Sequence, residues 1–529
     1  GTDEVLGSSA AAAGLLAMLN LVWTNVQALH VGASAGRVSN CRWGGAAMSA
    51  ADGDSERPLK AVIAGGGIGG LCTAVTLQSA GWDVEVFERT REYRPFGGPI
   101  QIASNGLEAL SEINPGMRQE ILDRGNVIGD RKNGLKDGIS NEWFATFDLY
   151  SPAVRRGQTP SLVIDRPILQ EILMKNIKDA GAVVRNGCEV VGCERTPTGV
   201  TALLADGSKH EGDVLIGSDG LNSKVRTVLN PEEPDPVWSG YTCFAAIANC
   251  VPDDIADVGY KVFLGPRKYF VSVDVGEGRI QWYAFLNIPA GESPKMEGAE
   301  TLEWLKTTQF DGWSPEVHQL IDSTPVDAIK QRDLYDRPPQ FKWTSGNVCL
   351  LGDAVHPMMP NLGQGGCQAI EDAYELGKHL SAAGTYDRGL DRASVEKALQ
   401  DFYKDRMPRV AGVSLLSRLA SDLIINAFDT PWNPWGDGLG TSWKSYLTFF
   451  WKPVLQYLIF PAQFLFLYSY HPSGPMGDLP KKLEEDWRKR HKEESEAAFA
   501  KAKAGGDRFD AASRLGSFFQ QSEEPVTSH

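Results

Sequence analysis

Apolar positions along the chain change their spacing from segment to segment, and each spacing predicts a different element. Residues 59–64, LKAVIA, make a short, nearly unbroken apolar run, residues 71–79 carry apolar positions at helical spacing, and residues 84–87, VEVF, form a second short run. With the glycines of residues 65–70 between the first run and the helix, this predicts a strand–turn–helix–strand unit with parallel strands. Its opening recurs twice. Residues 213–217, DVLIG, lead into the Asp-Gly turn of SDGLNSKVR, and residues 348–351, VCLL, lead through Gly352 and Asp353 into a glycine-rich turn and a helix. Between these repeats, residues 260–275 and 279–288 read as two strands joined by a hairpin at Gly276, Glu277 and Gly278. In the second strand, alternation sets Gln281, Tyr283 and Phe285 on one face and Trp282, Ala284 and Leu286 on the other. Core packing suits both faces, and an aromatic face lining a pocket is the alternative.

Both ends of the chain depart from this pattern. No acidic residue lies between Glu4 and Asp52, and residues 10–23 are apolar, which predicts a two-part plastid address read through the endomembrane system. The fold is expected to start near Pro58. Residues 413–428 put Leu416, Leu419, Leu423 and Ala427 on one helical face. Residues 446–470 have about the length of a membrane span, but Lys452, Pro453 and Pro461 interrupt them. With Trp435, Trp443, Trp451, Tyr446 and Tyr457 close by, a segment lying in the membrane interface is expected. A helix packed on the body is the alternative. Residues 481–503 mix charges of both signs and predict a solvated helix or tail.

Composition narrows the classes. The 529 residues leave room for three or four domains at about 150 residues each. With 42% hydrophobic and 22% charged residues the chain is globular, and a formal charge of −15 argues against nucleic acid as a partner. Eight cysteines form no CxxC pair, so no metal site or disulfide scaffold is expected; Cys188 and Cys193 are the pair a redox switch would use.

The candidate chemistry starts at Gly65, Gly67 and Gly70, which satisfy GxGxxG between a strand and a helix. One glycine permits the turn, one lets backbone approach a pyrophosphate, and one lets helix and strand pack closely. The helix N-terminus then offers free amides and a positive dipole end to the phosphates. Glu88 ends the second strand, 21 residues after Gly67, where an acid accepts hydrogen bonds from a ribose. Such an acid excludes a ribose 2′-phosphate and leaves NAD and the adenosine half of FAD open. Asp219 and Asp353 also suit simple Asx turns.

Taken in order, GxGxxG, the DG of residues 219–220 and the GD of residues 352–353 resemble the three fingerprints of flavin-dependent monooxygenases of the aromatic-hydroxylase type. Longer strings, among them FGGPIQIASNGLEAL at 96–110, RKYFVS at 267–272, QWYAF at 281–285 and GQGGCQAIEDA at 363–373, resemble the zeaxanthin epoxidases within that group. Nothing after residue 410 resembles the forkhead-associated domain of the plant members, so an algal-type form is expected.

The resemblance implies an α/β fold: a Rossmann-like FAD-binding domain, an inserted mixed β-sheet substrate domain and a C-terminal helical, membrane-associating region. The expected spans are 1–57 for targeting, 58–237 and 334–410 for the FAD domain, 238–333 for the substrate sheet, 411–478 for the apolar region and 479–529 for the charged tail. FAD would be held by Gly65, Gly67, Gly70, Glu88, Arg89, Arg166, Asp219, Asp353, Pro360, Gly363, Gly365 and Gly366. Candidate substrate contacts are Gln101, Phe270, Tyr283 and Phe285. The implied reaction epoxidises end-ring double bonds of xanthophylls with dioxygen through a flavin hydroperoxide, with no protein nucleophile or metal; hydroxylation of a small soluble aromatic is the alternative. His356 is read as a packing or capping residue. A single GxGxxG unit leaves no second nucleotide domain, so NADPH or reduced ferredoxin would visit transiently, at a thylakoid surface in the plastid.

Overall fold

The structure is a computed structural model that describes residues 59–93, 98–196, 199–383, 392–426, 453–470 and 472. The targeting segment, the charged tail and Trp435, Trp443, Tyr446 and Trp451 lie outside the described residues.

Two sheets organise the molecule. The first has six strands in the order Thr344–Ser345, Val348–Leu350, Val214–Gly217, Lys60–Ala64, Asp83–Glu88, Val183–Asn186. Its strands are parallel except for the Thr344–Ser345 edge. Ala61 to Ala64 are fully buried, because helices cover one face and a three-stranded sheet the other. Double burial is why these strands read as unbroken apolar runs rather than as alternation. The opening helix Ile68–Ser79 lies between Arg166–Ala180 and the glycine-led helix Gly365–Ala383. All three expected strand–turn openings therefore converge on one sheet, with their turns at the same end.

The second sheet has seven strands in the order Lys330–Asp336, Val237–Asn249, Arg279–Leu286, Lys268–Asp274, Val258–Gly265, Lys132–Asp137, Trp143–Phe147. It is mixed, since Val258–Gly265 and Lys132–Asp137 run parallel while the other pairs are antiparallel. Two corrections follow. The run expected as one strand over 260–275 is two, broken at Pro266 and Arg267; Pro266 has no N–H for a ladder, and Arg267 turns the chain with φ 55°. The sheet also takes two strands from residues 132–147, inside the span expected for the FAD domain, and runs on to Asp336. That pairing joins residues more than 120 apart, and no local pattern announces it.

The sheet's two faces differ. On one, Phe244, Phe263, Phe270 and Trp282 are buried under the helices Gly298–Trp304 and Pro315–Asp322. On the other, Tyr241, Val262, Tyr269, Val271 and Phe285 gather with Met359, which comes from the first domain.

Beyond this core, Arg392–Asn426 is one helix that continues through Pro408, so the boundary expected at 410 falls inside it. Leu416 is buried as its spacing predicts, and Ala427 lies outside the described residues. The helix Phe460–Leu467 packs on the body, burying Phe464, Leu467 and Tyr468 against Leu149, Ala153 and Val413. No helix among the described residues is long and apolar enough to cross a membrane. All described cysteines are free, Cys188 and Cys193 included.

Candidate cofactor site

The glycine turn is built from three different constraints. Gly65 has φ 103°, and a Cβ there would stand 2.5 Å from the Ser218 carbonyl oxygen, because two parallel strands end side by side at this point. A Cβ on Gly70 would lie 2.1 Å from the Gly65 carbonyl oxygen and 2.5 Å from Ser218 Oγ. At Gly67, by contrast, a Cβ would meet nothing within 4 Å. Gly67 is also the N-cap of Ile68–Ser79, with no side chain capping that helix. Two glycines thus close the turn, and the third opens uncapped amides onto free space, the arrangement that receives an anion.

Glu88 stabilises the turn from below: its carboxylate accepts the Gly66 N–H at 2.7 Å and the Thr90 N–H at 2.8 Å. Each oxygen keeps a lone pair for a further donor. Arg89, next to it, is exposed.

Asp219 has a mostly internal task. Its carboxylate accepts from Ser223 Oγ at 2.5 Å and from the Lys224 N–H at 2.7 Å, capping the helix Lys224–Leu229. Burial pushes its pKa up against those bonds. The loop it orders is tied to the GD turn by Arg226, which donates to the Leu221 and Ala354 carbonyls at 2.7 Å each. Arg226 is a functional neighbour that the fingerprints do not name. Its signal in the sequence is the basic residue closing SDGLNSKVR.

Asp353 is the reverse case. Its carboxylate is reached by solvent and accepts no hydrogen bond from any described residue. The protein packed around it raises its pKa, while His356 and Arg166 act in the opposite sense. Arg166 is exposed at the start of Arg166–Ala180, and the same helix reaches back through Gln170 to the Gly66 carbonyl at 3.4 Å.

The turn after Asp353 runs Pro360–Leu362 and then Gly363, which has φ 61°. Cβ atoms built on its glycines show what surrounds it. One on Gly363 would lie 3.0 Å from Gln101 Oε1, one on Gly365 3.8 Å from Asp353 Oδ1, and one on Gly366 3.7 Å from Ile68 Cδ1. The GD turn, the start of Gly365–Ala383, the strand Ile100–Ile102 and the glycine turn therefore share one cleft.

The second sheet closes that cleft. Tyr283 donates to the Pro99 carbonyl at 3.2 Å, and Phe285 stacks on Tyr269 with ring centroids 4.3 Å apart. Gln101, Tyr283 and Phe285 are thus brought to the same side. Phe270 is not, which corrects its expected role: it pairs with Ala284, stacks on Trp282 at 5.2 Å and meets Phe310 at 5.4 Å on the helix-covered face.

Behind the turn lies a buried polar network. His356 Nε2 sits 2.6 Å from Asp372 Oδ2, which also accepts the Gly352 N–H at 2.9 Å, so the histidine braces the GD turn as its packing role implied. Asp372 and Glu371 share Arg406, Glu371 also takes Arg409, and Asn105 donates to both Glu371 and Gln364 Oε1. Arg409 and Arg406 hold Glu371 below the usual carboxylate range despite burial, and His356 with Arg406 does the same for Asp372, which falls to about 2. No group of three or more His, Cys, Asp or Glu suited to a metal ion occurs among the described residues.

Fold and cleft together define an FAD-binding protein: a family model described as "FAD binding domain" matches residues 59–254 and 307–400, and the chain belongs to that family. Among solved structures, Klebsiella pneumoniae HpxO complexed with FAD and uric acid superposes with a TM-score of 0.64 at 26% identity, covering 78% of this chain and 97% of that one. A salicylate hydroxylase substrate complex shares the fold with a TM-score of 0.62 at 21% identity, covering 79% and 97%. More particularly, the chain is 44% identical over 379 residues to a protein of Nicotiana plumbaginifolia named "Zeaxanthin epoxidase, chloroplastic", covering 69% of this chain and 55% of that one. It is 45% identical over 382 residues to the protein of the same name from Solanum lycopersicum, covering 70% and 56%. The chain thus spans little more than half the length of these relatives.

The residues fit FAD on the geometry alone. Free space stands over the uncapped helix at Gly67, Asp353 has an uncommitted carboxylate in the same cleft, and the Gly363–Gly366 turn lies between them.

Proposed function

We propose that this chain is an FAD-dependent monooxygenase that epoxidises the end-ring double bonds of xanthophylls, taking zeaxanthin or a related de-epoxidised xanthophyll as substrate. The observation that carries the reading is the aromatic face of Tyr241, Tyr269, Tyr283 and Phe285, which meets Met359 immediately before the flavin turn. A long apolar substrate needs such a wall beside the flavin. When bound, FAD supplies the reduction of dioxygen that makes one oxygen atom available for transfer.

The chain's own residues do the rest. The amides following Gly67 hold the pyrophosphate, Glu88 accepts from the adenosine ribose, and Asp353 accepts from the ribityl hydroxyls. The start of Gly365–Ala383 turns its positive dipole end toward the ring and favours negative charge there. Arg166 adds a cation at the mouth of the cleft. Burial raises the Tyr269 and Tyr283 hydroxyls well above their ordinary range, so both stay neutral and act as hydrogen-bond donors. The apolar face excludes water, which protects the oxidising site from unproductive turnover.

The electron source in this reading is NADPH or reduced ferredoxin, binding transiently. The chain acts in a plastid, peripheral on the thylakoid membrane, in keeping with the chloroplastic names of its relatives. Tyr457, Leu458 and Leu465 support the membrane contact, being exposed on an apolar segment. The test supplies flavin-loaded protein with zeaxanthin in liposomes, a reducing system and oxygen, beside soluble aromatic acids. Mono- and di-epoxides are expected; hydroxylated aromatics without any epoxide would overturn the proposal.

A further inference from the structure

One polar side chain in the flavin turn is required by none of the three fingerprints. Asn361 lies in Pro360–Leu362, and its Oδ1 accepts a hydrogen bond from the Tyr269 hydroxyl at 2.9 Å. Tyr269 is held in turn, stacked on Phe285 and edge-on to Tyr241 at 5.4 Å. The amide nitrogen of Asn361 is shielded from solvent and has no partner among the described residues. With the tyrosine proton committed to Oδ1, what the amide has left to offer is its N–H donors. A buried donor without an acceptor is destabilising, so a water or a ligand oxygen has to supply the missing partner, and in the cleft a ligand reaches it.

Two acceptors could fill that place, an oxygen of the flavin ring or an oxygen on the substrate. The position favours the second. Asn361 is anchored through Tyr269 to the aromatic face, whereas the backbone of Gly363–Gly366 and the helix it starts serve the flavin. The geometry points to Asn361 as a specificity-determining residue whose amide N–H donates to a hydroxyl oxygen on the ring being oxidised, with Tyr269 as its positioning residue. This deepens the proposed function and rests on it. Its consequence is discrimination: a hydroxylated end ring satisfies the donor, and an unsubstituted ring leaves it unpaired.

The test uses two end-ring fragments, β-ionone and its 3-hydroxy derivative, with the flavin-loaded full chain. Binding is read from the change in flavin absorbance, and a carotenoid with one hydroxylated and one plain ring gives the ratio of epoxides formed at its two ends. Wild-type protein is expected to bind the hydroxylated fragment roughly tenfold more tightly and to favour the hydroxylated ring by a similar factor. Asn361→Leu should erase both preferences. Asn361→Asp, which keeps the shape and the acceptor for Tyr269 but loses the donors, should erase them too, with FAD content reporting that it folds. Tyr269→Phe should weaken the preference in part. Equal binding of both fragments by wild-type protein, or discrimination that survives in Asn361→Asp and Asn361→Leu, overturns the inference. So does a changed FAD affinity and flavin spectrum in those variants without fragment and with discrimination intact, which would assign the donor to the flavin. Those results leave xanthophyll epoxidation standing; a wild-type protein that forms no epoxide from any xanthophyll overturns both.

Discussion

Gly67 and Gly70 stand three residues apart in one motif, and the structure predicts opposite consequences for adding a methyl group to each. In Gly67→Ala the new Cβ meets nothing within 4 Å, so the flavin-free protein should lose no more than about 1 kcal/mol, the scale of a changed N-cap. The same methyl would stand where a pyrophosphate has to approach the helix amides. Losing one or two charge-assisted hydrogen bonds, at about 1.5–3 kcal/mol each, weakens FAD binding on the order of a hundredfold. In Gly70→Ala the Cβ falls 2.1 Å from the Gly65 carbonyl oxygen, which belongs to the turn itself and has no room to retreat. Overpacking of that kind costs about 1–3 kcal/mol or more, and flavin-free protein should bear it. Urea unfolding of flavin-stripped proteins measures the first quantity, and quenching of FAD fluorescence on titration with protein measures the second. The reasoning fails if Gly67→Ala binds FAD as tightly as wild type, or if it destabilises the flavin-free protein as much as Gly70→Ala does.

Three further outcomes are expected. The protein packed around Asp353 raises its pKa, but solvent reaches the carboxylate and screens the cost of its charge. Asp353→Asn should therefore change the stability of flavin-free protein by no more than about 0.5 kcal/mol while weakening FAD binding roughly tenfold or more, as melting curves and flavin titration at one pH will reveal. Asp372 shifts the other way, from 3.8 to about 2, so it contributes stability that is present above its ordinary range and lost as pH falls through the depressed value. An Asp372→Asn variant should accordingly show a flatter acid-unfolding limb between those two values than wild type; an unchanged limb would contradict the assignment. Arg409 donates to Glu371 and to the Phe466 and Leu467 carbonyls, so Arg409→Met should cost about 3 kcal/mol in urea unfolding and expose residues 453–470 to early proteolysis.

What could be read in the sequence was what is local. The strand, turn, helix and strand of residues 59–88 are fixed by spacing, so the turn glycines and Glu88 were found where the structure puts them. Alternation likewise separated Tyr283 and Phe285 from Trp282. Phe270 was misplaced because its face depends on register, and the pairing of Val271 with Tyr283 sets Phe270 opposite Ala284 on the other side. The Asp-Gly pair was visible, but a dipeptide does not reveal that Asp219 caps a following helix while Asp353 remains free. The network behind the flavin turn left a faint trace in Gln364, Gln368 and Glu371, polar side chains at helical spacing. Its partners Asn105, Arg406 and Arg409 lie far away in the chain, so only the fold assembles it.

In the proposed function, the flavin cleft would pass one atom of dioxygen to a ring double bond lying on the aromatic face. Epoxidation of liposomal zeaxanthin under oxygen-18 gas, followed by mass spectrometry of the product, tests this most directly. One heavy oxygen per epoxide formed, with flavin bleached by the reductant and restored by oxygen, is the predicted result. An epoxide carrying oxygen from water, or no epoxide from flavin-loaded protein under these conditions, would contradict it.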